Sequence, residues 1–467
     1  MLGCPVSWQL NFESNRYITV LEFSNNSDYL PLMKFPLLLS ALLFLAVSTN
    51  GLSADRGEPS GHSLVFIHPD GTGLAGWNIY RILDHGPDGT TNWDQLPELG
   101  VYRPHVKNNL DPSSHAGATI HSYGVKVVKD SYGMDGKKPI RAANGYAGSV
   151  MHEARDAGLA VGIINSGHLA EPGTAVMLAS VESRSMRVQV ASQLIASNAD
   201  LIMGGGEVLF LPIGTQGRHG REGIRQDGRN LVKEAESEGY RIIYTKEELN
   251  NIPSTATKVL GLFAAEDTYN VDSEEGLVRS KKPMYIKDAP TVAEMTKAGV
   301  KWLKSQKKPY FLMIEEEGTD NFANNTNAAG MMEAFRRSDA AIGAVMDQVK
   351  LAKNLTLLVA ADSEAGCPEL IPLGRTNSSP DEAKMINVPK QTKSGASIDG
   401  VGGTGSAAFL SAPDRFGQRH YFGIAWTDPG DHTGSVLVRA AGARGNQLPA
   451  NVDNTEIYHF IRRVIFK

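Results

Sequence analysis

The chain has 467 residues, 41% of them hydrophobic and 21% charged, with a net charge of −5. These proportions are those of an ordinary globular protein and exclude wholesale disorder or a collagen-like repeat. So small a charge argues against nucleic acid as a partner, while leaving small anionic substrates open, because those respond to local charge.

Residues 1–54 stand apart as an upstream extension followed by a signal-like segment. Met33-Lys34-Phe35 gives a cationic start, Pro36 to Val47 an apolar run, and Ser48 to Ala54 small and polar residues. This is the pattern of a secretory signal peptide. The run is shorter than the roughly 20 apolar residues that a bilayer crossing needs. The expectations are a translation start at Met33, cleavage near Ala54, export to the periplasm or the extracellular space, and no membrane attachment in the mature form. Cleavage there removes Cys4 and leaves Cys367 alone, which precludes an intramolecular disulfide. Stability then has to come from the core.

From residue 55 onwards, short apolar runs alternate with helical patterns. Ser63–His68, Leu159–Ile164, Asp200–Met203, Tyr310–Ile314 and Leu355–Ala361 read as buried strands. Arg184–Ser197, Val292–Ser305 and Ala328–Lys353 carry apolar residues at helical spacing. Strands apolar on both faces, alternating with helices, predict an α/β fold: a mostly parallel central sheet covered by helices on both sides. Residues 207–290, charged and Gly-rich, and residues 367–430, rich in Pro, Gly and Ser, read as surface insertions on a single domain spanning 55–467. Gly204-Gly-Gly206 lacks dinucleotide-fingerprint spacing and reads as a turn.

Ligands of parallel sheets bind outside the carboxyl ends of the strands. Asp70, Glu315 and Asp362 all fall at such ends. Asp70 belongs to His68-Pro-Asp70-Gly-Thr-Gly73, which by itself is an ordinary turn signal. A second segment, Asp111-Pro-Ser-Ser-His-Ala-Gly-Ala-Thr-Ile-His-Ser-Tyr-Gly-Val-Lys126, sets Ser113 or Ser114 at a helix N-terminus. There the Ser caps the helix or helps to bind an oxyanion.

Taken together, the motifs resemble the alkaline phosphatase family. Asp70-Gly-Thr-Gly73 is similar to its opening metal motif. Ser114 lies ten residues before the Gly of Gly124-Val-Lys126, as the family's nucleophile does, with Ser113 where Asp is usual and therefore a rival. Val161 to Glu171 resembles the strand leading to a magnesium site, and Arg184 follows Glu171 at the spacing of the phosphate-binding Arg. Phe311 to Glu315 with Asp320, Ala360-Ala-Asp362-Ser-Glu-Ala-Gly366, and Asp431-His432-Thr-Gly434 complete the series in order. The match runs from about residue 60 to 445.

The resemblance implies three divalent-ion sites. Asp320, His432 and Asn324 are assigned to one. Asp70, Asp362, Ser114 and Ser363 are assigned to the second. Asp70, Glu171, Glu315 and Thr174 are assigned to the third. Thr174 sits one residue late, the expected position being Gly173. Asn324 and Ser363 stand where the family has His. Oxygen ligands favour harder ions than imidazole does, so magnesium is expected, with zinc, calcium or manganese at the other sites. The implied activity is hydrolysis of a small phosphate ester through phosphoserine at Ser114, with Arg184 gripping the phosphate and a homodimer possible. A diesterase, a sulfatase or a non-catalytic metal- or phosphate-binding protein are the alternatives.

Overall fold

The computed structural model describes residues 57–377 and 386–467, so the signal-like segment lies outside the described residues. Ten strands make the main sheet. In chain order they are β1 (Ser63–Pro69), β2 (Glu98–Arg103), β3 (Ala160–His168), β4 (Leu201–Gly205), β5 (Tyr240–Ile243), β6 (Lys258–Leu262), β7 (Tyr310–Glu316), β8 (Leu355–Val359), β9 (Leu437–Gly442) and β10 (Asn451–Asp453). Across the sheet they run β10-β2-β9-β8-β1-β7-β3-β4-β6-β5. Only β9 opposes its neighbours; the other pairs are parallel.

The central strands β8, β1, β7 and β3 are buried along their whole length. Alternate side chains serve two different cores: Leu64 and Phe66 of β1 face one, Val65 and Ile67 the other. That is why these strands read as continuous apolar runs instead of alternating ones. On the first side lie α2 (Ser114–Tyr123) and α6 (Asn454–Ile465), the latter burying Ile457, Phe460, Ile461 and Val464. On the second lie α1 (Leu74–His85), α3 (Val292–Ser305) and α5 (Ala328–Leu351). Side-chain caps fix the starts of two of these. Thr291 accepts from the Glu294 amide at 3.2 Å while Glu294 accepts from the Thr291 amide at 2.7 Å, and Asn327 accepts from Gly330 at 2.7 Å. Each such cap is worth about 1 kcal/mol.

Two stretches behave differently from the sequence expectation. Within 207–290, β5 and β6 join the main sheet and form its far edge, while the rest is loop and short helix. Residues 367–430 build a second, smaller antiparallel sheet around the pairing of Pro368–Asn377 with Arg419–Trp426. Gly204 and Gly205 end β4, and only Gly206, at φ 92°, makes the turn. Among the described residues no helix is long and apolar enough to cross a membrane.

Candidate active site

Parallel register brings the carboxyl ends of three adjacent strands level: His68 of β1 pairs with Glu315 of β7, which pairs with Asn165 of β3. Just beyond these ends the chain places Asp70 after β1, Asp362 after β8, and Asp320 in the short helix α4 (Gly318–Asn324) after β7. The N-terminus of α2 faces them. Gly117, in its first turn, lies so close to Asp362 that a Cβ there would be 2.2 Å from Oδ2.

Two ligand-like groups share Asp70. His68, Asp70 and Asp362 form one; Asp70, Glu317 and Asp320 form the other, and in each group the donor atoms lie within 4.8 Å of one another. All five residues are buried. His68 Nε2 is 3.3 Å from Asp70 Oδ1 and 3.9 Å from Asp362 Oδ1. Ser114 lies beside Asp70 and is among the groups that hold its carboxyl low. Ser113 is committed elsewhere, accepting from the Asp130 amide at 3.1 Å. Ser363 donates to Asp362 Oδ1 at 3.1 Å.

Such crowding of like charge shows in the titration behaviour. Burial first, then the Asp70 charge, pushes the Glu315 carboxyl up to about 8, with His68 opposing. Burial and neighbouring carboxylates also raise Glu317, Asp320 and Asp362 well above the usual range. Asp70 is the exception: burial would raise it, but the neighbouring charge of His68, 3.3 Å away, holds it low. Burial would likewise lower His68, yet Asp70, Asp362 and Glu315 together push it up to about 10. Several buried polar atoms have no hydrogen-bond partner: His68 Nε2, Asp70 Oδ2, Asp362 Oδ2, Glu315 Oε1 and Glu317 Oε2. An unpartnered buried acceptor costs about 1–3 kcal/mol and an unpaired charge more. A convergent set of this kind fits divalent cations, whose ligands these atom types are.

The remaining predicted residues divide. Glu315 Oε2 accepts from the Thr174 amide at 3.1 Å and from Asn165, whose amide also donates to Thr174 Oγ1 at 2.9 Å. Gly173 leaves room for this arrangement, since a Cβ there would fall 1.6 Å from Glu315 Oε1. Glu171 is turned towards other partners: His168 Nε2 at 2.9 Å and Arg184 Nη2 at 2.8 Å. Arg184 is about half exposed, so donors remain for a ligand. Asn324 donates to both oxygens of Asp320, at 3.1 and 3.0 Å, and to Asp431 at 3.1 Å, while its own oxygen accepts from Gly430 at 2.9 Å. In this orientation its amide damps carboxylate repulsion and offers no ligand atom. His432 has its Nε2 3.2 Å from the Asp428 carbonyl and 3.5 Å from that residue's carboxylate.

Sequence reasoning passed over His68, Glu317, Asp431 and Asn165. His68 and Asp70 lie two apart at a strand end, the spacing that puts side chains on one face. Glu317 closes a run of three glutamates just before Asp320. Both signals were available.

A family model described as alkaline phosphatase matches residues 62–466. The alkaline phosphatase of Escherichia coli K12 is 22% identical over 457 residues, covering 89% of this chain and 88% of that protein. Alkaline phosphatase 4 of Bacillus subtilis is 26% identical over 320 residues, covering 65% and 61%. Among solved structures, the alkaline phosphatase of the Antarctic bacterium TAB5 superimposes with a TM-score of 0.64 at 18% identity, covering 87% of this chain and 98% of that one. A histidine-to-glutamate variant of that enzyme holds Mg in a site called M3, with a TM-score of 0.63, 18% identity and the same coverage.

Proposed function

The chain belongs to the alkaline phosphatase family, and on that premise we propose that it is a metal-dependent phosphomonoester hydrolase working through phosphoserine at Ser114. The observation that carries this reading is the convergence of Ser114, Asp70 and Asp362 at the N-terminus of α2, beside unpartnered buried ligand atoms.

His68, Asp70 and Asp362 would hold one divalent ion, and Asp70, Glu317 and Asp320 a second; Glu315 Oε2 is held by the Thr174 amide. Bound there, the ions supply Lewis acidity to phosphate oxygens and favour ionisation of a neighbouring hydroxyl. Every other contribution comes from the chain. Ser114 starts beside Asp70, a carboxylate held low enough to stay ionised and to attract the hydroxyl proton. Amides of the first turn of α2 and its dipole face an incoming anion. Arg184, steadied by Glu171, presents its remaining N–H groups to two phosphate oxygens in a planar fork. Attack by Ser114 on phosphorus expels the alcohol, and water then cleaves the phosphoserine to return the free hydroxyl.

The test is hydrolysis of an aryl phosphate by metal-stripped protein reloaded with single divalent ions, beside an aryl phosphodiester and an aryl sulfate. Preference for the monoester, lost in Ser114→Ala, supports the proposal. Failure to turn over with any ion, or preference for the diester or sulfate, overturns it. Export rests on the Met33–Ala54 segment, and sequencing the mature N-terminus tests it; an intact residue 1 in secreted protein overturns it.

A further inference from the structure

We propose that His68 is a metal ligand of the Asp70–Asp362 site, supplying from β1 the imidazole that is missing at Ser363. The inference rests on the phosphatase reading of this site, but it concerns one side chain that the motif pattern does not assign.

Three features of the ring make the case. First, its far nitrogen is fixed: Nδ1–H donates to the Ala360 carbonyl at 2.8 Å. A carbonyl only accepts, so a neutral ring carries its proton on Nδ1 and leaves the Nε2 lone pair towards the carboxylates. A backbone carbonyl behind the ring is the usual second partner of a metal-binding histidine.

Second, Nε2 has the right neighbours at the right separations. It lies 3.3 Å from Asp70 Oδ1 and 3.9 Å from Asp362 Oδ1. Ligands about 2.0–2.2 Å from a tetrahedral ion lie about 3.3–3.6 Å apart. The first distance matches such an edge and the second needs a shift of a few tenths of an ångström. Nε2, Asp70 Oδ2 and Asp362 Oδ2 are buried without a hydrogen-bond partner.

Third, the ring cannot easily turn away. Phe66 packs on it edge-on at 6.0 Å and His121 at 5.9 Å, with interplanar angles of 83° and 80°. His121 is itself held by Tyr102 at 2.5 Å.

Ser363 meanwhile turns to its own neighbour Asp362. With Ser114 beside Asp70, the donor set becomes one nitrogen and three oxygens, which suits zinc better than the all-oxygen set read from the motif. The imidazole has moved from the loop after β8 to the adjacent strand.

The experiment measures metal binding to purified protein of wild type and His68→Gln, with Zn2+ and Co2+ separately, by competition against a chromophoric chelator and by elemental analysis after dialysis. Circular dichroism and thermal melting in chelator report whether the variant folds. A direct arm, independent of any variant, follows 15N-labelled histidines of the wild type on titration with 113Cd2+. The expected results are one site weakened about 100-fold or more in His68→Gln, beyond the 10–100-fold effect of losing only an outer partner, and coupling of bound Cd to Nε2 of one buried ring. The Co2+ absorption band of that site should change in the variant. Unchanged affinities, or wild-type protein that binds Cd without coupling to His68, would make His68 only a buried ion-pair partner and overturn the assignment. In that case the phosphatase reading still stands if the aryl phosphate is hydrolysed. Absence of binding by any divalent ion overturns both.

Discussion

Gly117 and Asp362 are in such close contact that no side chain fits between them: a Cβ at 117 would lie 2.2 Å from Asp362 Oδ2 and 2.5 Å from its Cβ. The first turn of α2 therefore lies directly against the carboxylate at the end of β8. Gly117→Ala must push the Asp362 side chain out of place, since the backbone on both sides is buried. Displacement of a reacting or positioning group by about 1 Å costs on the order of 100-fold in rate. The expected outcome is a fall of that size in aryl phosphate turnover, with thermal melting close to wild type. Unaltered turnover in a folded variant would mean that Asp362 has no part in the site.

The two serines at the start of α2 should separate cleanly. Ser113 accepts from the Asp130 amide, so Ser113→Ala should cost about 1 kcal/mol of stability and leave most turnover. Ser114→Ala should abolish turnover and leave the melting temperature nearly unchanged. Acid quenching during turnover, followed by peptide mapping, should find phosphate on Ser114; label on Ser113 would shift the motif alignment by one residue.

Asn324 acts as a donor between two acids, Asp320 and Asp431. Asn324→Asp removes the donor and adds a charge. The metal-free variant should be less stable than wild type by about 1–3 kcal/mol, whereas divalent ions should bind it more tightly. Melting curves with and without Mg2+ and Zn2+ check both halves, and a variant more stable in chelator than wild type contradicts the geometry.

Burial and Asp70 raise Glu315 from 4.5 to about 8. Between those values the folded, metal-free protein holds a proton that the unfolded chain has lost, so stability falls as pH rises through this window and levels off above about 8. Each pH unit costs up to about 1.4 kcal/mol for such a group. Ions release these protons on binding, and their affinity should therefore climb with pH over the same range. Chelator-treated protein should melt at progressively lower temperature from pH 5 to 8, and added ion should restore most of the loss at pH 8. A flat profile in chelator would show that Glu315 ionises normally.

How far the sequence foretold this arrangement depended on the kind of signal. Ser63–Pro69, Tyr310–Glu316 and Leu355–Val359 were legible because both faces are buried, leaving unbroken apolar runs. Strands at and next to the edges were not: Tyr240–Ile243 and Asn451–Asp453, the two edges, have four and three residues, and Glu98–Arg103, beside the latter, alternates exposed and buried residues. In the site, the expectation for Ser114 rested on a family-like distance to Gly124 and on a helix start, and the helix does begin at Ser114. Which way Glu171 and His432 turn depends on near neighbours that compete for them. Glu171 is claimed by His168, three residues before it, and by Arg184, and His432 by Asp428, four residues before it; residue spacing alone does not say which of these partners a side chain takes. His68 was visible as a strand terminus, but its aim at Asp362 needed the neighbouring strand.

His68, Asn165 and Glu315 come level only because β1, β7 and β3 lie side by side in one register, although 150 residues separate Asn165 from Glu315. None of the intervening local structure can assemble them early, and contacts of such long sequence separation form late and slowly. Ion capture at the proposed site would thus report on completed strand order. On the metal-site reading, a nascent or misregistered chain would offer only scattered carboxylates, and the finished sheet alone would present the cluster. In an ion-poor setting the last step of maturation would then be set by metal supply, with folded but unloaded molecules accumulating behind it.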